Sequence, residues 1–571
     1  MFINNKLTKL NIQKTITLLI LILTIFFGYE IGNRPFADPD EGRYVEIPRE
    51  MVVTGDYITP RLNGLKYFEK PPLLYWLQAS TIKVFGMNEY SMRFWIAFFA
   101  ILGCLSVFLV GLASKSTTIN KSTTTGLFAA GILATNLLYY AHSRLIILDL
   151  TVSVLISGAL WCFFLAFVRK EKIRYSTSII ITMYVLAALA CLTKGLIGAI
   201  LPGFVAFLWI FFTNNWRKIK EMISIPGILV FLAIFLPWHI AVCAKNSDFF
   251  HFYFVVEHFL RYTTQMHARY QPVWFFIPII IVGLLPWTGF SLIALKESIK
   301  QSVRNKNNSE NIFLICWIFG IFGFYSFSNS KLIPYILPIV PPISYLTAKM
   351  LAETDISDKN FKSGVYLNII LLCIALIAFY FAKGSISDVT SAFPKVKILI
   401  IAFAVVIIMC IALLLFSISS FKDTRNTRKS TSNTVILYIF LAMNMMWILN
   451  KAAPFYQAVK KPSAKQMAQI VRLNRQPEDL VFSYKKYQQD FPVYLGSIIG
   501  VVDHWGELNF GNSAEPNDRM ISENELIQRW NADKRIFLLL TREDYRNLFK
   551  TKQLDHFILD FDKNFVVITN R

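Results

Sequence analysis

The chain is constrained most by its apolar runs, about 18 residues or longer, which recur from the N-terminus into the fifth hundred of its 571 residues. As a helix, a run of that length matches the hydrocarbon thickness of a bilayer. Inside a bilayer only helices and closed barrels satisfy their own backbone polar groups. Repetition of such runs therefore predicts a polytopic α-helical membrane protein. Composition agrees: 55% of residues are hydrophobic, 16% are charged, and the mean hydropathy is +0.47. The first run, TITLLILILTIFFGYEIG at 15–32, is followed by no small-x-small cleavage pattern. Many similar runs come later, so it reads as a retained helix rather than a signal peptide.

Thirteen spans are expected, at 14–32, 92–114, 124–141, 146–168, 176–192, 195–213, 224–243, 273–295, 311–328, 332–350, 364–382, 396–417 and 433–450. Loop charges fix the expected orientation. With the N-terminus cytoplasmic, each inside loop, such as VRKEKIR or NNWRKIKE, carries at least two Lys or Arg. The short outside loops AHSRL, LTKG and SNSKL carry one each, as the positive-inside rule requires. An odd number of spans then places the C-terminal tail outside. The same loop pattern accounts for the net charge of +22 and argues against nucleic-acid binding. Cysteines 104, 162, 191, 243, 316, 373 and 410 all lie in apolar runs, so they form neither a disulfide framework nor a metal-spaced cluster.

Three outside segments exceed turn length: 33–91, 244–272 and the tail 451–571. The expected organisation is a membrane domain, 1–450, that includes the first two of these loops, followed by a soluble domain, 451–571. In that tail the strand-like runs DLVFSY, RIFLLL and FVVIT alternate with the helical patterns ENELIQRW and REDYRNLF, predicting a small α/β fold.

The first outside loop is dense in charge. In EGRYVEIPREMVVTGD, Tyr44, Ile47, Met51 and Val52 recur at helical spacing, with Glu46, Arg49 and Glu50 largely opposite. This predicts an amphipathic helix lying at the outer membrane surface and ending at Gly55. YFEKPPLLYW follows, with Glu69 and Lys70 ahead of two prolines. Taken singly, such charges are also what a solvated interfacial loop carries. Asp149 opens the fourth span, where a carboxylate is costly and is either paired, with Arg144 a candidate, or favoured by the helix N-terminus. HFYFVVEHFLRY reads as a second interfacial helix, in which Glu257 and His258, together with Glu69, are candidate ligands of a divalent metal such as zinc. In SNSKLIPYILPIVPP, Pro334 and Pro338 should break the helix and turn neighbouring side chains, Lys331 and Tyr335 among them, toward a cavity.

PDEGRYVEI followed by GDYITPRLNGLKYFEKPPLLYW resembles the first periplasmic loop of the ArnT-like aminosugar transferases. The resemblance covers nearly the whole chain: the spans, Asp149, EHFLR, KLIPYILP and the α/β tail. It implies the GT-C architecture, shared distantly with protein O-mannosyltransferases. It further implies a bacterial inner-membrane enzyme moving an amino sugar from undecaprenyl phosphate to a lipid A phosphate on the periplasmic face. By this resemblance Asp40 is the principal catalytic carboxylate and Asp149 the second acidic residue. Arg43 is a phosphate or acceptor partner. Lys70, Arg261, Tyr335 and Tyr67 hold donor phosphate or acceptor, and Glu69 with His258 would take a metal. No organic cofactor is expected, and the partners are the lipid-linked sugar, lipid A and membrane lipids, with the protein a monomer. Gly42 stands where the aminoarabinose enzymes usually have Thr, Pro48 where they have Ser, and KPPLLYW replaces a KPIAGYW-like segment. The sugar is thus open between 4-amino-4-deoxy-L-arabinose and galactosamine or another amino sugar.

The physical chemistry of such a substrate explains the charge density. A polyprenyl-phosphate donor keeps its sugar–phosphate bond at headgroup level, where spans hold the tail and loop charges reach the bond. Two alternatives stand beside this reading: transfer to another envelope glycan or to protein, and a lipid-linked sugar flippase. A flippase needs charges near the midplane and related halves, whereas the singled-out charges lie on one side.

Overall fold

In the computed structural model the described residues are 2–114, 119–169, 176–260, 270–305, 308–381, 383–419, 427–552 and 554–571. They form two compact units. One comprises Met1–Ile31, Phe94–His239 and Phe254–Ala453; the other comprises Gly32–Arg93, Ile240–Tyr253 and Pro454–Arg571.

Among the described residues ten helices are long and apolar enough to cross a membrane, and the protein is a multi-pass membrane protein. The other three of the thirteen expected spans depart from that form for local reasons. The run 273–295 is two helices, Val273–Gly283 and Thr288–Arg304, bent by 119° at their break. Pro286 lies in that break, where it removes a backbone donor. The run 195–213 is a helix of 17 residues, Ile197–Thr213. The run 124–141 divides into Ile119–Ala134 and Leu137–His142, with the Asn136 side chain capping the second by accepting from the Tyr139 amide. The prolines of KLIPYILP change the form of the span's first turns without dividing it, and Lys331 is buried, donating to the Gln271 and Ser328 carbonyls. A 3-10 turn, Ile333–Ile339, precedes the α-helix Val340–Glu353, and Trp317 Nε1 donates to the Pro338 carbonyl at 2.9 Å. That donor satisfies an acceptor within the irregular stretch. Trp317 also meets Trp161 edge-on, ring centroids 4.6 Å apart, inside the bundle core.

In the second unit the loop 33–91, grouped with the spans in the sequence reading, packs with the tail. Its elements are the helix Asp40–Thr54, a short hairpin of β1 (Arg61–Leu62) and β2 (Leu65–Lys66), and the helix Leu73–Phe85. The tail carries a six-stranded sheet. Its strands are β3 (Leu480–Tyr484), β4 (Gly500–Val502), β5 (Met520–Ile521), β6 (Ile536–Thr541), β7 (Phe557–Phe561) and β8 (Phe565–Thr569), in the order β5-β4-β3-β6-β8-β7. The first four are parallel and β8 and β7 join antiparallel, which makes the domain α/β as expected. The apolar runs DLVFSY and RIFLLL lie side by side as β3 and β6. Phe482, Val502, Leu538 and Ile568 from four neighbouring strands close one core. Ser522 and Thr541 cap the helices Glu523–Trp530 and Arg542–Thr551 by accepting from the third amide on.

The helix Asp40–Thr54 corrects one expectation. It forms and ends at Gly55 (φ 73°), as the sequence predicts, but it does not present a solvated polar face. Glu46, Arg49 and Glu50 are all buried. The tail covers that face: a Cβ at Gly42 would lie 2.6 Å from the Gln489 carbonyl carbon and 2.7 Å from the Asp490 nitrogen. Glycine is the residue that permits this approach, so the departure at Gly42 has a steric counterpart. The buried charges are paired, as buried charges must be. Glu41 accepts from Arg34 at 2.7 Å and Arg93 at 2.8 Å, and Glu46 is ion-paired with Arg49. Glu50 accepts from the Gly64 amide at 2.9 Å, and its burial together with the Glu46 charge pushes its pKa up to about 8.

Candidate functional site

At the start of the helix Asp40–Thr54 neighbouring carboxylates part company. Glu41 is 1% exposed inside its arginine clamp, while the Asp40 side chain is 55% exposed at the helix mouth. Arg43, one turn on, reaches both ways: Nη1 lies 3.9 Å from Asp40 Oδ1 and Nε lies 2.6 Å from Glu507 Oε2. Glu507 belongs to a 3-10 turn, Gly506–Leu508, that follows β4. Burial pushes its pKa up to about 7 against the pull of Arg43, and the charges of Glu69, Asp40 and Asp38 add to the rise. Asp38 in turn accepts from Lys486 Nζ at 2.8 Å and from the Gln489 amide at 2.9 Å.

The YFEKP segment supplies the remaining members. Tyr67 is buried, and its phenol is raised well above the usual range by that burial and then by the Glu69 charge. Phe68 anchors the segment between Phe249 and Phe510, ring centroids 5.2 and 5.8 Å away. Glu69 acts electrostatically on Arg43, Tyr67 and Glu507. Lys70 Nζ donates to the Glu69 carbonyl at 2.6 Å. Asp40, Arg43, Tyr67 and Glu69, chosen from sequence, thus share one neighbourhood with Glu507, and Lys70 adjoins it. An exposed carboxylate beside a guanidinium, with a near-neutral acid behind it, is suited to holding an anionic group against a polarised bond.

In the other unit Asp149 lies in the first turn of the helix Leu148–Phe163 and is ion-paired with Lys194, at the end of the helix Ser176–Lys194. The Lys194 ammonium sits 4.3 Å from the ring centroid of Tyr335. Arg144, the partner suggested by sequence, donates to the carbonyls of Phe26 and Tyr29 and to the Tyr140 hydroxyl. Lys194 and Glu507 are what the sequence reading missed. LTKG was a topology loop there, and a lone Glu in a soluble tail carries no motif. The Arg261 and His258 side chains lie outside the described residues. Among the described residues no three His, Cys, Asp or Glu gather as a metal site.

The profile of the dolichyl-phosphate-mannose-protein mannosyltransferase family matches residues 12–253, and that of the aminoarabinose transferase C-terminal domain matches 467–570. The undecaprenyl phosphate-alpha-4-amino-4-deoxy-L-arabinose arabinosyl transferase of Yersinia enterocolitica is 31% identical over 62% of this chain and 61% of its own length. The chain thus spans less than two thirds of that relative. The enzyme of the same name from Pectobacterium carotovorum is 27% identical over 94% of this chain and 95% of its own. ArnT from Cupriavidus metallidurans, in a crystal structure with undecaprenyl phosphate, superposes with a TM-score of 0.83 at 23% identity, covering 97% of this chain and 98% of that one. The chain belongs to the ArnT-like transferase family. Its membrane architecture is accordingly the GT-C fold, and its α/β tail is the family's C-terminal domain.

Proposed function

We propose that this ArnT-like chain transfers 4-amino-4-deoxy-L-arabinose from undecaprenyl phosphate to a phosphate of lipid A, on the periplasmic face of the bacterial inner membrane. The observation that carries the reading is the exposed Asp40 carboxylate held beside the Arg43–Glu507 pair. The relatives' names supply the donor and the sugar. In the reaction a phosphate oxygen of the acceptor forms the new bond to the anomeric carbon. The bond from that carbon to the donor phosphate oxygen breaks, and its electron pair leaves with undecaprenyl phosphate; a single displacement inverts the centre. The leaving phosphate gains charge as this bond breaks, so cations matched to it favour the transition state over the ground state. By the family resemblance Lys70 and Arg261 are assigned to that phosphate and Tyr67 and Tyr335 to donor or acceptor, while Asp149, ion-paired with Lys194, is the second acidic residue. The acceptor is already anionic, so Asp40 needs no proton from it. Asp40 orients the acceptor, or stabilises positive charge on the sugar or its amine, while Arg43 neutralises the acceptor phosphate. Glu69 with His258 would hold a divalent ion, which would add positive charge at the phosphates.

The test is mass spectrometry of lipid A from cells carrying the chain or its Lys70→Ala variant. The intact chain should add one aminoarabinose mass, and the variant should express and insert while adding almost none. A partly exposed lysine without a role would tolerate the change at a cost of about 1 kcal/mol. Normal modification by Lys70→Ala would remove YFEKP from the site, and unmodified lipid A with the intact chain would overturn the acceptor.

Glu507 is a positioning residue in this scheme, and its titration gives a second expectation. Its carboxylate holds Arg43 above about pH 7 and releases it below. Transfer should therefore fall as pH drops from 8 to about 6. Glu507→Gln should flatten that profile at the low-pH level. The stability sign is opposite. A carboxyl raised in the folded state favours folding below its unfolded pKa of about 4.3, and that contribution is lost as pH rises through about 7. Glu507→Gln should remove this slope from the melting temperature. An unchanged pH–rate profile in the variant would show that Arg43 is held without Glu507.

A further inference from the structure

A second charged feature of the tail-containing unit takes no part in the chemistry above. A cleft of about 590 Å³ opens between the end of the helix Asp40–Thr54, the segment leading into the helix Glu89–Leu112, and the helix Lys465–Asn474. Four cations line it: Arg49, Lys465, Arg472 and Arg475. Two are matched: Arg49 is ion-paired with Glu46, and Lys465 with Glu89, at 2.6 Å. The other two have no carboxylate bonded to them among the described residues. Arg475 donates to the Ser497 hydroxyl at 2.6 Å, and its pKa is lowered by burial and then by the Arg472 charge, against the weaker pull of Asp479. Two guanidiniums that repel one another in a half-enclosed cleft form a site awaiting an anion.

The rim states what kind of anion. Val53, 71% exposed, and Met87 line the cleft, and the segment just before Met87 ends in Val84 and Phe85, 72% and 63% exposed. Glu89, the counter-ion of Lys465, is the first residue of a helix apolar and long enough to cross a membrane. Cations bordered by bare aliphatic and aromatic side chains at the mouth of a span match an anionic headgroup with acyl chains beneath it. Arginine's planar fork suits phosphate in particular.

We propose that this cleft binds the phosphate of a phosphorylated membrane glycolipid, Arg472 and Arg475 being its ligands. The inference rests on the acceptor reading above and deepens it, because it gives the acceptor lipid a docking cleft of its own on the tail-containing unit.

The test measures binding, so that it does not depend on turnover. Full-length protein in nanodiscs is titrated with lipid A bearing its phosphates, with dephosphorylated lipid A, and with inorganic phosphate. The intact chain should bind the phosphorylated lipid at least tenfold more tightly than the dephosphorylated one, and inorganic phosphate at millimolar levels should not displace it. Arg472→Gln, at an exposed position on a helix surface, should weaken phosphorylated-lipid binding about tenfold, one lost charge-assisted contact. The Arg472→Gln, Arg475→Gln double variant should weaken it further and flatten its salt dependence. Affinity for undecaprenyl phosphate should stay unchanged in both. Equal binding of the two lipids, equal binding by intact and Arg472→Gln protein, or displacement by inorganic phosphate overturns the inference. Proposed sugar transfer fails separately: intact protein that binds phosphorylated lipid A here but never glycosylates it would overturn the function and leave this cleft standing.

Discussion

Asp40→Asn is expected to lower transfer by about 10²-fold or more, the scale of losing a positioned electrostatic group. The substitution keeps shape and removes charge. The side chain is 55% exposed and its single described ion pair, to Arg43, is long at 3.9 Å. Folding stability should therefore change by no more than about 0.5 kcal/mol. Donor binding should persist, since Lys70 and Arg261, assigned to the donor phosphate, are left in place. The measurement is donor affinity and single-turnover rate of the variant in nanodiscs. Loss of donor binding with intact turnover of whatever donor still binds would make Asp40 part of the donor site.

Glu41→Ala should do the reverse. Glu41 takes both Nη groups of Arg34 and the Nε and Nη2 of Arg93, and it also accepts from the Ala37 amide at 2.9 Å. Burial alone would raise its pKa, yet the two arginines hold it well below the usual carboxylate range. Removing it takes the carboxylate from two buried guanidiniums, which keep only neutral acceptors such as Gln457 and the Pro35 carbonyl, and breaking one buried pair already costs about 3–5 kcal/mol. Glu41→Ala should thus lower the melting temperature in detergent steeply or prevent accumulation of folded protein. Glu41→Gln, which keeps shape and an acceptor, should fall between it and the intact chain. The same linkage predicts acid sensitivity: a carboxylate depressed in the folded state contributes stability above its unfolded pKa of about 4.3 and loses it as pH falls through the folded value. A loss under about 1 kcal/mol for Glu41→Ala would mean that water or other groups take over the arginines.

Adjacent carboxylates with opposite expected effects show where sequence reading reaches its limit. DPDEGR presents Asp38, Asp40 and Glu41 as equals. Their different fates come from partners far along the chain: Lys486 and Gln489 for Asp38, Arg93 and Gln457 around the Arg34–Glu41 pair, and Glu507 beside Arg43. Asp149 repeats the case, because Lys194 is 45 residues away. The amphipathic pattern of Asp40–Thr54 left the burial of its charged face out of view for the same reason. Helical period places Glu46, Arg49 and Glu50 on one face, but nothing local says that a later domain will cover it.

What the sequence determined by itself is everything set within about twenty residues of chain. Apolar run length determined ten of the spans, proline broke the helix near 286 and turned 333–339 to 3-10 form, Gly55 stopped a helix, and the strand-like runs of the tail became β3, β6 and β8. These follow from hydrophobic burial and backbone sterics, which act between near neighbours. The charged motifs were also local, and they brought Asp40, Arg43, Tyr67 and Glu69 into view. Only the tertiary structure decided which charges are clamped and which are left open, because a carboxylate's burial and its cation are set by whichever distant segment packs against it.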